Sequence, residues 1–241
     1  MRQAPVLHLR GLDSSIARAL IERIFRTNAH LVVPGAHFQE ISQRYATELE
    51  FGDCELHAAE HLPLASGHRL MLIGLGPFDE PNDGVNGFDI DGLEIILTAP
   101  AHLEMEVDTE WLDSIILVHD LLPRVKDTTW GSPLFNQWMI QLNTNIVPSP
   151  VGSTEHWWVS DIDVADAFVR MLIGDEPFPS LIKVSGRRAW SQEQTIEELT
   201  LLHARTVAGK TGQFSVEHLT AAPTPTIEVK SLIVNPSMPL S

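Results

Sequence analysis

The sequence predicts an α/β protein built on a doubly wound parallel sheet, with a small C-terminal extension. Two near-continuous apolar runs, Arg69–Leu75 and Ile115–Val118, are typical of strands buried on both faces of a parallel sheet. Residues 6–33 read as strand, helix and strand over about 30 residues, the length of a right-handed parallel crossover. Because strands alternate with helices, we expect the two apolar runs to be near-neighbouring parallel strands with helices on both sides of the sheet.

The N-terminal unit starts with Val6–Leu9, a short apolar run that favours a strand. Asp13 or Ser14 can cap the helix that follows, because their side-chain oxygens accept from free N–H groups of a first turn. His30–Val33 forms the second strand, and Pro34 ends it.

The middle of the chain gives less uniform signals. Ala36–Leu49 has the apolar spacing of one helix, and Phe135–Leu142 that of a short one. Pro77–Asp91 and Pro123–Pro133 have the composition of loops. Leu93–Leu97 is apolar throughout, so its periodicity does not decide between strand and helix.

The stretch 155–199 predicts strand, helix, strand and helix. Trp158–Ser160 has strand character, and Asp163 can cap a helix that begins at Val164. Leu181–Val184 reads as the next strand.

A capping box of Ser191 and Gln194 opens the last helix. The tail from Ala221 carries four prolines and is predicted to be an extended arm or a late strand, near Ile227–Val229. We expect residues 1–150 to form the core and residues 151–241 to complete the same domain with a small lobe and an extended tail.

Composition excludes several classes of function. The net charge of −16 argues against binding to nucleic acid or to an anionic membrane, since both need a positive surface. The sequence has no apolar run that could span a bilayer and no signal-peptide pattern at its start. Cys54 is the only cysteine, which excludes an internal disulfide and favours the cytoplasm.

The stretch 155–200 resembles the C-terminal part of the extended short-chain dehydrogenase/reductase family, the group of NAD-dependent nucleotide-sugar epimerases and dehydratases. That family has a W-V-x-V-x-D-V-A-like run before one helix and an N-V-S-G-like strand before the next. The residues that match are Trp158, Val159, Asp163, Val164, Ala165, Val184, Ser185 and Gly186. The resemblance implies a Rossmann-like fold and, for an intact member, a bound NAD or NADP.

The glycine-rich turn of that family, G-x-x-G-x-x-G, corresponds here to Gly11, Ser14 and Ala17. Glycines let the backbone approach the pyrophosphate at a helix N-terminus. Only the first glycine is kept, and Asp13 adds a negative charge beside the expected diphosphate. We assign these three positions as the cofactor-binding turn and expect no cofactor, with NAD or NADP as the weaker alternative; an ordinary capped turn explains the same residues.

The catalytic pair that the resemblance implies, a Tyr with a Lys four residues later, is absent. The only tyrosine is Tyr45, and Leu49 follows it at four residues. Where the pair would lie, the chain has Phe135 with Met139, or Leu134 with Trp138. We therefore assign no catalytic residue.

Two other patterns can carry chemistry. His57, Glu60 and His61 match H-x-x-E-H, which on a helix can bind zinc, but a solvated loop is the expected outcome, and we assign no metal. His119 and Asp120 follow a predicted central strand and can do acid–base work, although a pair held by local hydrogen bonds is expected more often.

Two functional hypotheses remain. The first is a non-catalytic Rossmann-like binding or assembly protein that forms a homo-oligomer or binds a partner protein. Its candidate anchors are the large aromatics Trp138, Trp157, Trp158 and Trp190, each of which can also be a core residue. The alternative is an NAD(P)-dependent nucleotide-sugar epimerase, dehydratase or reductase with an atypical active site.

Overall fold

An eight-stranded sheet organises the protein. The structure, a computed structural model, describes residues 4–76, 90–106, 112–124, 127, 129–174, 176–213, 215 and 232–234. Its strands are β1 (Val6–Arg10), β2 (His30–Val33), β3 (Glu55–Ala58), β4 (Arg69–Ile73), β5 (Glu94–Pro100), β6 (Ser114–Val118), β7 (Leu121–Leu122), β8 (Val159–Ser160), β9 (Leu181–Ser185) and β10 (Leu232–Val234). The helices are α1 (Ser15–Ile24), α2 (Gly35–Arg44), α3 (Ala46–Phe51), α4 (Pro133–Asn143), α5 (Asp161–Ile173) and α6 (Gln192–Thr211), with a 3₁₀ turn at Ala101–Glu106.

The strand order across the sheet is β10-β9-β6-β5-β4-β1-β2-β3. Seven strands are parallel, and β10 alone pairs antiparallel, with β9 at the edge. The predicted α/β doubly wound sheet is therefore confirmed, with β4 and β6 as parallel strands on either side of β5. Strands β7 and β8 form a separate parallel pair beyond the end of β6.

The main core lies between one face of the sheet and the helices α1 and α5, which pack on each other. Alternation places every second residue of a strand on this face, so Leu7 and Leu9 of β1 point toward the helices. On the opposite face a second cluster of Leu70, Leu72 and Leu97 fills the space above β4 and β5. Burial of both faces explains why these strands read as continuous apolar runs.

A third cluster joins α4 and α6, and it holds the tryptophans that the sequence analysis treated as interface anchors. Trp138, Trp158 and Trp190 are each at most 4% exposed and pack with Ile196 and Leu199. Of the two roles considered for these three residues, the structure shows the core role, because their rings are buried inside the described part of the chain. Trp157 is half-buried.

Several predicted elements need correction. The single helix expected at 36–49 is two helices that meet at Tyr45, whose ψ of 29° leaves the helical region. The N-cap of α5 is Ser160 rather than Asp163, since the Ser160 Oγ accepts from the Asp163 N–H at 3.1 Å. Strand β3 was not predicted, and the ambiguous run at 93–97 is a strand from Glu94 onward, in β5.

Other predictions agree with the structure or lie outside it. Ser14 caps α1, and Ser191 and Gln194 form the predicted capping box of α6. Most of the loop predicted at 77–91 and the segment 227–229 fall outside the described residues. Among the helices described here, none is both long and apolar enough to cross a membrane.

Candidate functional site

The strand order reverses between β1 and β4, and this reversal defines a crevice. From β1 the chain moves one way through β2 to β3, whereas β4, β5 and β6 continue on the other side. Open parallel sheets bind ligands in the crevice at the carboxyl ends of the strands where this reversal occurs. The residues after β1 and after β4 are therefore the first to consider.

Gly11, directly after β1, adopts a φ of +75°. A Cβ at this position would collide with the Ile73 carbonyl oxygen at the end of β4. Only glycine allows both the left-handed backbone and this close approach. The one glycine that the motif retains thus stands where the backbone geometry requires it.

Two further glycines lie at the same crevice, and the sequence analysis did not identify them. Gly74 and Gly76, just after β4, have φ values of +88° and +89°. An added Cβ on Gly74 would meet nothing within 4 Å, so this turn leaves open space. A Gly-x-Gly directly after a buried apolar run was the signal that could have found it.

The other two predicted positions open α1. Ser14 is its N-cap, and the Ser14 Oγ accepts from the Ala17 N–H at 3.1 Å. Ala17 is fully buried. The next residue after the cap, Ser15, is buried too, and its Oγ has no hydrogen-bond partner among the described residues. A buried hydroxyl without a partner lowers the stability of the fold by about 1–3 kcal/mol, so a ligand oxygen that accepted a hydrogen bond from the Ser15 Oγ would remove this cost.

Asp127 brings a carboxylate to this helix N-terminus. Its Oδ2 accepts from the Ser15 N–H at 2.9 Å, while its Oδ1 accepts from the Thr129 and Trp130 N–H groups at 3.0 and 3.1 Å. Anions bind at helix N-termini because free N–H groups and the positive dipole end converge there. The protein thus places one of its own anions where this kind of fold receives a phosphate.

A polar pair lies beyond the end of β6. The Asp120 Oδ1 lies 3.0 Å from the Nδ1 of His156, and the Asp120 Oδ2 accepts from the Trp157 N–H at 2.8 Å. An ionised carboxylate is acceptor-only, so the proton of this bond belongs on Nδ1. Asp120 has a φ of +45°, a left-handed conformation that costs a non-glycine residue about 1–3 kcal/mol. The backbone is strained at the residue that orients the histidine.

His156 is 8% exposed and lies among tryptophans. Its ring stacks on Trp158 with centroids 4.7 Å apart and meets the edge of Trp138 at 6.4 Å. The His156 Nε2, the Trp138 Nε1 and the Gln141 Oε1 are all buried without a partner in the described residues. The expected pairing of Asp120 with His119 is thus corrected to Asp120 with His156, whose Nε2 is buried without a hydrogen-bond partner in the described residues.

Neither Tyr45 nor the residues of α4 named in the sequence analysis can serve as an acid–base group. Tyr45 is buried against Phe25, with ring centroids 5.1 Å apart, and burial, followed by Glu22, raises the pKa of its phenol. On α4, Leu134, Phe135 and Met139 pack on the tryptophan cluster. None of these four side chains can exchange a proton near neutral pH.

The H-x-x-E-H pattern does not form the zinc site of a hydrolase. His57 lies in β3, whereas Glu60 and His61 lie in the turn after it, so the two histidines do not share a helix face. The Glu60 carboxylate lies against Gly35, since a Cβ added to Gly35 would collide with it. Glu60 thus stands where β2 ends and α2 begins.

The likeness to known proteins is one of fold. No protein-family model matches the chain, and no curated protein matches it. Gre2 from Candida albicans in complex with NADPH aligns over 95% of this chain and 90% of its own, at 10% identity and a TM-score of 0.50. UDP-N-acetylglucosamine 4-epimerase from Methanobrevibacter ruminantium M1 aligns over 84% of this chain and 83% of its own, at 8% identity and a TM-score of 0.50. Triphenylmethane reductase from Citrobacter sp. aligns over 90% of this chain and 87% of its own, at 11% identity and a TM-score of 0.50.

These neighbours confirm the resemblance to the short-chain dehydrogenase/reductase family at the level of the fold. They also correct one expectation of the sequence analysis. The expectation that the protein takes no cofactor is contradicted, because the same fold holds NADPH in Gre2. Of the three assigned positions, Gly11 keeps the close approach to Ile73, whereas the N-terminus of α1 is capped by Ser14 and contacted by Asp127.

Proposed function

We propose that the protein binds NAD(P) in the crevice between β1 and β4 and acts as an NAD(P)-dependent reductase or epimerase with an atypical acid–base group. The observation that carries the proposal is the turn at Gly11, where a left-handed glycine packs on the Ile73 carbonyl and leads into the N-terminus of α1. The tight turn after the first strand is the role that the first glycine has in dinucleotide-binding folds. The names of the structural neighbours, an NADPH complex of Gre2, a triphenylmethane reductase and an epimerase, favour this alternative over a non-catalytic assembly role.

The serines around the turn can bind the diphosphate of the cofactor, whereas two nearby aspartates oppose it. Ser14 and Ser15 supply the first N–H groups of α1, and the Ser15 Oγ is an unpaired donor beside them. The Asp127 carboxylate has to leave the Ser15 N–H for a phosphate oxygen to use it. Asp13 and Asp127 both oppose the added negative charge, so the expected affinity is modest.

The cofactor, when bound, supplies or accepts a hydride. His156 takes the role that a Tyr–Lys pair has in the resembled family: it holds and moves a proton at Nε2. Asp120 fixes the Nδ1–H tautomer and stabilises the imidazolium that forms when Nε2 takes up a proton. A buried, unpartnered Nε2 on a strained dyad is costly for stability alone, which supports a chemical role.

The test is turnover by the full chain and by two matched variants. Oxidation of NADH and NADPH is measured with a panel of aldehydes and ketones, and epimerisation is measured with UDP-sugars. His156→Gln should lower kcat about 10²–10⁴-fold without changing dinucleotide affinity, since general acid–base groups contribute about that much. The control is His203→Gln, which changes a histidine of α6 that is hydrogen-bonded to Asn143 of α4; this variant should keep wild-type turnover. Equal turnover by His156→Gln and wild type would remove His156 from the mechanism.

A further inference from the structure

Three potential metal ligands share one face of the sheet at its β3 edge. His30 is the first residue of β2, and Glu55 and His57 lie in β3. The parallel register pairs His30 with Glu55 and Val32 with His57. Because side chains alternate along a strand, Glu55 and His57 lie on the same side, and His30 joins them from the neighbouring strand.

The three ligand atoms form a nearly equilateral triangle. The His30 Nδ1 lies 3.1 Å from the His57 Nε2, and the Glu55 Oε2 lies 3.4 Å from the first nitrogen and 3.5 Å from the second. Zinc binds His and Glu at about 2.0–2.2 Å, so two ligands on a tetrahedral ion are about 3.3–3.6 Å apart. The two sides that end at the carboxylate, 3.4 and 3.5 Å, lie within this range, and the side between the two imidazoles, 3.1 Å, is slightly shorter.

A purely hydrogen-bonded trio explains this arrangement less well. One N–H between the two rings accounts for the 3.1 Å contact. The carboxylate oxygen, however, is farther from both nitrogens than an ordinary N–H···O bond, whose distance is about 2.9–3.0 Å. It lies at the distance that separates two ligands of one ion.

We propose that His30, Glu55 and His57 bind a zinc-class divalent ion through the His30 Nδ1, the His57 Nε2 and the Glu55 Oε2. Two imidazoles and one carboxylate suit zinc, cobalt or nickel, whereas calcium and magnesium prefer oxygen ligands throughout. The imidazoles are 30% and 28% exposed and the carboxylate 66%, so an ion and a fourth ligand from solvent can reach the site.

The position of the site suggests a structural role. His30 and Glu55 begin their strands, so the site lies toward the end of the sheet opposite the crevice at Gly11. Strand β3 is the edge strand, and the ion would join it to β2 through side chains as well as backbone bonds. The inference therefore does not depend on dinucleotide binding or on turnover.

The test is a titration of the tag-free full chain with zinc chloride by calorimetry and with cobalt chloride by visible absorption. Wild-type protein should bind one zinc ion with micromolar or tighter affinity, and cobalt should give the intense visible bands of a tetrahedral complex. His30→Ala, His57→Ala and Glu55→Gln should each weaken zinc binding at least about 100-fold, since even outer-shell losses cost 10–100-fold.

The matched control is His61→Ala, which removes an exposed histidine of the same segment but outside the triangle. It should bind zinc as wild type does. Circular dichroism of each variant separates loss of a ligand from loss of the fold. No zinc binding by the wild type, or equal binding by wild type and the three ligand variants, would overturn the proposal.

Discussion

The Asp127 carboxylate accepts a hydrogen bond from the Ser15 backbone N–H, with 2.9 Å between Oδ2 and the nitrogen. This contact joins the loop before α4 to the N-terminus of α1, across 112 residues of sequence. It uses the N–H group that a bound phosphate would use and leaves the Ser15 Oγ unpaired beside it. Within the proposed function, the carboxylate is an internal competitor for the diphosphate.

Asp127→Asn should therefore tighten NADH binding about tenfold, which corresponds to about 1.4 kcal/mol. The substitution removes the negative charge, while the amide oxygen can still accept from Thr129 and Trp130. Calorimetric titration measures the change. The control, Asp166→Asn, removes the same charge at an exposed partner of Arg23 and should leave affinity unchanged. Equal affinities for Asp127→Asn and wild type would show that the contact does not compete.

Gly11→Ala should lower the free energy of unfolding by about 3 kcal/mol or more, because it combines left-handed strain with a collision against the Ile73 carbonyl. Gly67→Ala is the matched control. Gly67 has a φ of +79° but nothing within 4 Å of an added Cβ, so only the strain remains, about 1–2 kcal/mol. Urea unfolding compares the two variants. Equal losses would mean that the close approach at Gly11 is not what requires glycine there.

NADH should bind more tightly than NADPH, by about tenfold. Dinucleotide folds use an acid to accept from the ribose hydroxyls, and the Glu60 carboxylate, which follows β3 and lies against Gly35 just after β2, can supply one here. A 2′-phosphate would be repelled there. Glu60→Gln should reduce the difference in affinity between NADH and NADPH. Glu50→Gln, at an exposed position on α3, should leave that difference unchanged. A wild-type preference for NADPH would count against this role for Glu60.

Stability should fall by about 2 kcal/mol between about pH 7 and about pH 5, through His8. Burial, followed by the charges of Arg10 and His68, lowers the pKa of His8 from 6.5 to about 3. A lowered histidine pKa means that the unfolded chain binds the proton more readily. The contribution of the neutral His8 to the free energy of unfolding is therefore complete above pH 6.5 and is lost as the pH falls toward 3.

Urea unfolding at the two pH values checks this expectation. His8→Gln should remove most of the pH dependence, and His102→Gln, at an exposed position, should retain it. The same pH dependence in wild type and in His8→Gln would assign the effect to other groups.

Features with local causes could be predicted from the sequence. The capping box of Ser191 and Gln194 spans three residues, and Ser14 needs only its own first turn. The apolar runs of β4 and β6 are strands because both of their faces are buried. The order of these elements along the chain predicted both the parallel sheet and the resemblance in fold that the structural neighbours confirm.

Features that depend on tertiary contacts could not be predicted. Strand β3 has the sequence ELHA, in which only Ala58 is buried, so it gives no apolar run. Asp120 was expected to pair with its neighbour His119 because no local pattern links it to His156, which lies 36 positions further along the chain. The close contacts of Asp127 and Glu60 depend in the same way on turns that meet only in the folded chain.

The most direct test of the central claim is a calorimetric titration of the full chain with NADH, beside two variants that carry the same substitution. Ser14→Asp keeps a good N-cap but adds a negative charge beside the expected diphosphate, whereas Ser191→Asp makes the same change at the N-cap of α6. The account predicts saturable one-site binding by wild type and Ser191→Asp, and at least about tenfold weaker binding by Ser14→Asp. Absence of saturable binding by the wild type, or equal affinities for all three proteins, would contradict it.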